Sequence, residues 1–338
     1  MKRRNIIMAA PLAALPFAWN AQAQATTLRL VNSGGRNSDM IDAGYAKPFT
    51  AKTGAKVILE APSSLGKLRA MVESKRITTH IFELGSSTLV QAKALNLLEK
   101  LDWNAIDPLR MFPETRDDYG MGYEYFSTLM TWRTGAPAPS SWVDFFDAQK
   151  FPGKRSLPDY PHYCLQFALL GAGVPMDKLF PLDVDRAFKK LEQFKQHVSV
   201  WWKTNTQPTQ LMKDNEVQYA INWSAGLAET PEVQLTFKEG MYDCAWFTLP
   251  KGIDPAEKAL AMKFLHEVTV PKNQQVASTI AAMSGNSPDL EALVSPEKFA
   301  VFPTAAKNKA VQFRQNGEWW GANGVEVGKR WTQFKLNA

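Results

Sequence analysis

The chain has 338 residues with 39 Lys and Arg against 33 Asp and Glu, a formal net charge of +6. Three of those positive charges and no negative one lie in the first 25 residues, so the remainder carries only +3. That gives no case for a nucleic-acid partner, which calls for a clustered basic face. The 313 residues beyond position 25 exceed the roughly 250–300 at which a single core stops growing, so two domains are expected.

Lys2, Arg3 and Arg4 precede an apolar run over 6–19, and Ala21-Gln22-Ala23-Gln24-Ala25 offers overlapping A-x-A cleavage sites. This order describes a bacterial secretory signal peptide over residues 1–25. The run is short of the roughly 20 apolar residues of a membrane span, and Pro11 and Pro16 interrupt it. A soluble periplasmic protein, not embedded in the membrane, is expected.

Leu28-Arg29-Leu30-Val31 predicts a strand, followed by the loop Asn32-Ser33-Gly34-Gly35. Asp39 is the expected N-cap of a helix over 40–53, with a kink or break near Ala46 because Pro48 lies inside it. A second strand over 56–60 leads through Ser63-Ser64 to a helix over 65–75, where Leu65, Leu68 and Val72 have helical spacing. Ile81-Phe82 is a short strand, and Ser86-Ser87 opens a helix through Ala94. Alternating strands and helices point to an α/β unit with a mainly parallel sheet. An aromatic extended segment over 123–132 then meets Gly135-Ala136-Pro137-Ala138-Pro139, a restricted boundary linker. A second α/β run follows, with strands over 155–157, 198–202, 217–223 and 245–249 and helices over 162–170, 183–196 and 208–213. Two more helices are expected over 255–268 and 271–283.

Three loops share one design. Asn32-Ser33-Gly34-Gly35, Ser63-Ser64 and Gly85-Ser86-Ser87 each follow a strand and open a helix. N–H groups at helix starts and Ser hydroxyls bind oxygens well, and ligands of open α/β sheets sit outside the carboxyl ends of the strands. The three loops are therefore expected on one crevice, against the alternative that each is an ordinary N-cap. Among the many aromatics, Trp223 stands at a strand end in Ile221-Asn222-Trp223-Ser224. Its ring could stack on a ligand while Asn222 hydrogen-bonds to it, or it could pack in the core. Cys164 and Cys244 both sit in apolar runs; one bridge and two buried free thiols remain alternatives. No G-x-S-x-G, H-E-x-x-H or P-loop pattern occurs, and His80, His162, His197 and His266 lack metal-ligand spacing.

Several segments resemble a known family. Pro139-Ser140-Ser141-Trp142-Val143-Asp144-Phe145-Phe146-Asp147 with Lys150-Phe151-Pro152-Gly153-Lys154-Arg155 is similar to periplasmic solute-binding proteins of ABC importers, in the branch grouped with spermidine/putrescine-binding proteins. Phe49-x-x-x-Thr53-Gly54-Ala55-Lys56-Val57, Phe180-Pro181-Leu182-Asp183 and Pro250-Lys251-Gly252 carry the same likeness. The resemblance implies an α/β, two-lobed type II periplasmic binding protein, each lobe a mixed sheet flanked by helices, joined by a two-strand hinge. Residues 26–133 and 247–338 would form one lobe and 134–246 the other.

Carried onto this chain, the resemblance places ligand contacts at Ser33, Gly34, Gly35, Ser63, Ser64, Ser86, Ser87, Tyr125, Gln210, Asn222 and Trp223. It implies a monomer that captures a small solute without chemistry, uses no cofactor, and delivers the solute to an inner-membrane permease. Polyamine binders of the branch clamp ammonium groups with carboxylates. Here the loops carry Ser, Gly and Asn, while Glu83, Glu124 and Glu229 lie outside them. That favours a carboxylate or phosphonate solute, with Arg36 or Lys67 as charge partners, over a polyamine. Ferric-iron binding through Tyr123 and Tyr125, or an exported hydrolase, are the further alternatives.

Overall fold

The computed structural model describes residues 27–204, 206–224, 227 and 230–336. Residues 1–25, where an export signal is expected, and Glu229 lie outside the described residues.

One twisted mixed sheet runs through the molecule. Its strands follow the order Lys56–Glu60, Thr27–Val31, Ile81–Gly85, Val233–Pro250, Gly120–Arg133, Tyr219–Trp223, Arg155–Pro158 and Val198–Trp202. The first three are parallel to one another, and so are the last three. Between these two parallel triads lie two long antiparallel strands that serve both. Val233–Pro250 pairs with Ile81–Gly85 through Ala245–Thr248, and Gly120–Arg133 pairs with Tyr219–Trp223 through Thr128–Trp132. Between those two contacts the main sheet continues through the long pair, which makes it the two-strand connection of a type II periplasmic binding fold. The sequence pattern gave only the end of the second crossing strand, 245–249; the whole strand has 18 residues. Its first half, Val233-Gln234-Leu235-Thr236-Phe237-Lys238-Glu239, alternates with a half-exposed face and lacks the continuous apolar run that marked the rest.

The first helical region begins at Arg36 with Gly35 as its flanking residue, so Asp39 lies in the first turn and does not cap it. The expected irregularity is present as a single wide turn over Asp42–Ala46, after which Lys47–Thr53 is regular. Pro48 has no N–H to donate into the preceding turn, and it stands in the first turn of the restarted helix, where that loss is harmless. Ser64 caps Leu65–Glu73 by accepting from the Lys67 N–H at 3.1 Å.

Apolar side chains gather around each parallel triad. Leu28, Leu30, Phe49, Ile81, Tyr123, Phe247 and Phe264 share one cluster, and Trp142, Phe145, Phe167, Leu191, Tyr219 and Ile221 another. In the second, the fully buried Arg155 donates to the carbonyls of Gly153, Phe145 and Phe151 and lies 4.5 Å from the Tyr219 ring centre. Carbonyl oxygens and an aromatic face replace the carboxylate that a buried cation otherwise requires. Cys164 and Cys244 are both buried free thiols.

A helix over Gly317–Leu336 closes the chain, unanticipated because Gly317, Gly321, Gly324 and Gly328 dilute its helical signal. Trp320, Val327, Trp331 and Phe334 on this helix enter the same cluster as Trp142 and Phe167. Three of its glycines face the helix Ser86–Ala94 beside the first triad: a methyl on Gly321 would come within 2.1 Å of Val90, and one on Gly324 within 2.6 Å of Gln91. The C-terminal helix thus packs against both halves.

Candidate functional site

Where the crossing strands meet the two triads, a cavity of about 90 Å3 opens between the halves. Ser33, Asn37, Glu83, Gly85, Glu124, Ala245 and Met283 line it from one side, Phe126 from the crossing strand, and Tyr163 and Trp223 from the other.

The first wall is built from strand ends. Glu83 is the third residue of Ile81–Gly85, and its Oε2 accepts from the Ser33 N–H at 3.2 Å and from Asn37 Nδ2 at 2.8 Å. Asn37 also donates to Ser33 Oγ at 2.6 Å and lies 3.2 Å from Tyr123 Oη. Asn32 shapes the loop, its Oδ1 accepting from the Gly34 N–H and from Ser38 Oγ at 2.6 and 2.7 Å. Gly34 and Gly35 both have positive φ, which glycine adopts without steric cost.

Glu124 occupies a different position. It lies between Tyr123 and Tyr125 and is only 4 % exposed. Ala245 pairs with Glu124 and Trp246 with Gly122, so Tyr123 is an extra residue in its strand, a bulge of the kind that re-aims neighbouring side chains. Glu124 Oε2 is buried with no hydrogen-bond partner in the protein.

Desolvation raises the Glu83 carboxyl to about 7, partly opposed by the donors from Ser33, Tyr123 and Asn37. Desolvation and the nearby Glu83 charge lift Glu124 well above the ordinary carboxylate range. Behind Gly85, Asp243 is raised to about 6 by burial; it accepts from the Cys244 N–H at 2.8 Å and from Tyr163 Oη at 3.4 Å. No Lys, Arg or His is among the described residues lining the cavity. Arg36 instead donates to the Ile280 carbonyl and Lys67 pairs with Glu60. No group of three or more His, Cys, Asp or Glu among the described residues is placed to hold a metal ion.

The second wall is aromatic. Trp223 ends the strand Tyr219–Trp223, stacked over Tyr160 at 6.2 Å and edge-on to Trp202, Tyr163 and Phe126 at 4.8, 5.3 and 6.0 Å. Its Nε1 is likewise buried without a partner.

Of the residues singled out in the sequence, Ser33 and Trp223 line this cavity. Ser63 sits behind it, donating to the Glu83 carbonyl at 2.6 Å, while Ser64 is the helix cap. Ser86 accepts from Trp246 Nε1 at 3.0 Å on the rim of a neighbouring groove, and Ser87 is buried. Tyr125 packs edge-on to Phe112 on the face away from the cavity residues. Asn222 is buried beneath Trp223, accepting from its N–H and donating to Thr209, and Gln210 bonds Asp214 at the surface. Gly85, from the third of the expected loops, lines the cavity as well, whereas Asn37, Glu83, Glu124, Phe126, Tyr163, Ala245 and Met283 are lining residues that the residue pattern does not point to. Glu83 and Glu124 lie outside the Ser- and Gly-bearing loops, yet the structure brings both to the cavity from strands. A lone carboxylate inside Ile81-Phe82-Glu83-Leu84 or Gly122-Tyr123-Glu124-Tyr125-Phe126 was the available signal, because an ionisable group in an apolar strand is costly to bury.

A family model described as bacterial extracellular solute-binding protein matches residues 44–306. The chain belongs to that family. The gamma-aminobutyric acid-binding protein of Pseudomonas aeruginosa is 30% identical over 333 residues, spanning 95% of this chain and 94% of that protein. The structure of an ABC transporter substrate-binding protein from Bradyrhizobium japonicum matches with a TM-score of 0.84 at 30% identity, covering 91% of this chain and 99% of that one. The Atu4243-GABA receptor matches with a TM-score of 0.83, also at 30% identity, over 91% and 97%. This solute-binding protein therefore takes a small-molecule ligand and works with the membrane permease of an ABC-type transporter.

Proposed function

We propose that this solute-binding protein captures a short aminocarboxylate, of the γ-aminobutyrate class, in the cavity between its halves and releases it unchanged. The observation that carries the reading is a cavity walled by two carboxyl groups, Glu83 and Glu124, with no cation among the described lining residues. An ammonium supplies the missing positive charge, and desolvating it there is offset by the carboxylates. The unpartnered Trp223 Nε1 is a donor suited to the solute's carboxylate. The carboxylate-type solute expected from the sequence is thereby kept, with an amino group added. Relatives bearing γ-aminobutyrate in their names, at 30% identity, favour the same class.

In this reading the protein is exported by its residues 1–25, acts as a monomer and performs no catalysis. Its first lobe is 26–133 with 247–338 and its second 134–246. The solute touches both walls and so favours the shut arrangement, which the permease reads. Shifting such an equilibrium from 1:99 to 99:1 requires roughly 5.5 kcal/mol of differential affinity. A diamine is the second reading, supported by the same lack of a lining cation.

Titration calorimetry with γ-aminobutyrate, glycine, putrescine, spermidine and butyrate tests the assignment. γ-Aminobutyrate is expected to bind most tightly and to stabilise the fold by mass action, about 2.7 kcal/mol at a hundred times Kd, seen as a higher Tm. Tighter binding of putrescine would move the assignment to the diamine. Silence from every amine would remove it.

A further inference from the structure

Two carboxyl groups share one small cavity with no cation among its described lining residues to balance them, and they are not equivalent. Glu83 is already held, by the Ser33 N–H and Asn37 Nδ2. Glu124, 4 % exposed, keeps an oxygen with no partner in the protein. Two adjacent carboxylates in a desolvated pocket do not both ionise readily; the pair holds a proton that belongs to neither side chain alone. An ammonium entering the cavity reverses that preference, since its charge stabilises both carboxylates.

Resting on the aminocarboxylate reading above, we propose that the Glu83–Glu124 pair takes up the solute's ammonium in exchange for a proton, making loading pH-linked. The exchange balances: one proton leaves the pair for solvent, one ammonium enters intact, and no bond of the solute is altered. The family assignment requires only that a solute be bound, so proton release is a separate property of these two residues.

The other titratable groups around the pair do not supply the proton. Tyr45 on the wide turn, Tyr123 on the Glu124 strand and Tyr163 from the opposite half are all phenols raised by burial, and remain protonated throughout. The Cys244 thiol on the second crossing strand is raised likewise. Asp243 titrates nearer the relevant range, yet it is engaged by Tyr163 and the Cys244 N–H and is not among the lining residues. Arg314 acts on Asp243 and Cys244 and is not among the influences on Glu83 or Glu124. Desolvation places Glu83 at about 7 and Glu124 well above the usual range, in keeping with a retained proton.

Calorimetry of γ-aminobutyrate at pH 8, in buffers of contrasting ionisation enthalpy, counts the protons released per solute bound and needs no variant. About one proton is expected, with affinity rising about tenfold per pH unit from pH 7.5 to 8.5, where Glu83 is ionised and Glu124 still holds its proton. The solute's own groups do not titrate there to any extent, its ammonium resembling a Lys side chain and its carboxyl an ordinary acid. Glu124→Gln should abolish the release and weaken binding at least tenfold, whereas Asp243→Asn should retain the release. Circular dichroism establishes that each variant folds. Tight γ-aminobutyrate binding without proton release overturns the exchange and leaves the aminocarboxylate reading intact. Butyrate binding as tightly as γ-aminobutyrate overturns both.

Discussion

The two walls of the cavity solve different problems with different residues. Ser33, Asn37, Glu83 and Glu124 make one wall polar and ionisable, held by strand ends and a strand-to-helix loop. Tyr163 and Trp223 make the other aromatic, backed by Tyr160 and Trp202. Hydrogen-bonded carboxyls give direction and charge selectivity, but each must be desolvated and partnered. Aromatic rings give contact area with little dependence on angle, which suits a wall that, on the proposed reading, arrives by movement of one half. On the proposed reading, recognition is built into the polar wall and closure into the aromatic one.

The sharpest way to break that division is to neutralise the polar wall. Glu83→Leu removes the acceptor for both the Ser33 N–H and Asn37 Nδ2 and deletes one carboxyl from the cavity. Hydrogen bonds to charged groups contribute about 1.5–3 kcal/mol each, so affinity should fall by about a hundredfold or more in calorimetry. An affinity within a few-fold of wild type would mean that Glu83 is a bystander.

The same wall should leave a signature in the stability of the empty protein. Glu83 is raised from an ordinary value of 4.5 to about 7 in the folded state. Between those values the folded protein keeps a proton that the unfolded chain has lost, so stability declines as pH climbs through this window. His162, pushed down to about 4 by burial, acts in the opposite sense below its unfolded value. The comparison is therefore made against Glu83→Gln, which retains the His162 contribution. Wild-type Tm should drop by several degrees relative to that variant between pH 5 and 8. Parallel curves would show that Glu83 titrates normally.

On the aromatic wall, Trp223→Ala should weaken binding about tenfold, some 1.4 kcal/mol. Tm should change by a few degrees at most, because this ring is only partly buried and turned toward the cavity. A large fall in Tm with unchanged affinity would assign Trp223 to the core.

Much of the frame was legible in the residues. The strands over 198–202 and 56–60 and the helix over 255–268 follow directly from apolar runs, Pro and N-cap signals. The first and last members of the site, Ser33 and Trp223, were also visible, one in a Gly-rich loop and the other at a strand end. What escaped depended on partners distant in sequence. Glu83 and Ser33 are 50 residues apart and meet only because Ile81–Gly85 lies beside Thr27–Val31 in the sheet. Glu124 needed a bulge that no local pattern announces. The C-terminal helix escaped for the converse reason: its glycines look like breaks until Val90 and Gln91 are set against them.

The line where the two walls meet gives the smallest effect and the most discriminating one. Gly85 has φ −76 and ψ 164, a backbone that alanine adopts without strain. An added methyl would lie 3.3 Å from Tyr163 Oη and 3.8 Å from Asp243 Oδ2, close enough that Tyr163 must give by a few tenths of an ångström. Tyr163 belongs to the arriving wall and donates to Asp243 on the crossing strand. Gly85→Ala should therefore loosen the shut arrangement without touching either carboxyl of the polar wall. Affinity is expected to fall about threefold, roughly 0.7 kcal/mol, with proton release on γ-aminobutyrate binding and Tm both unchanged. Loss of proton release in this variant would show that closure and charge recognition are not separable, and that the two walls act as one.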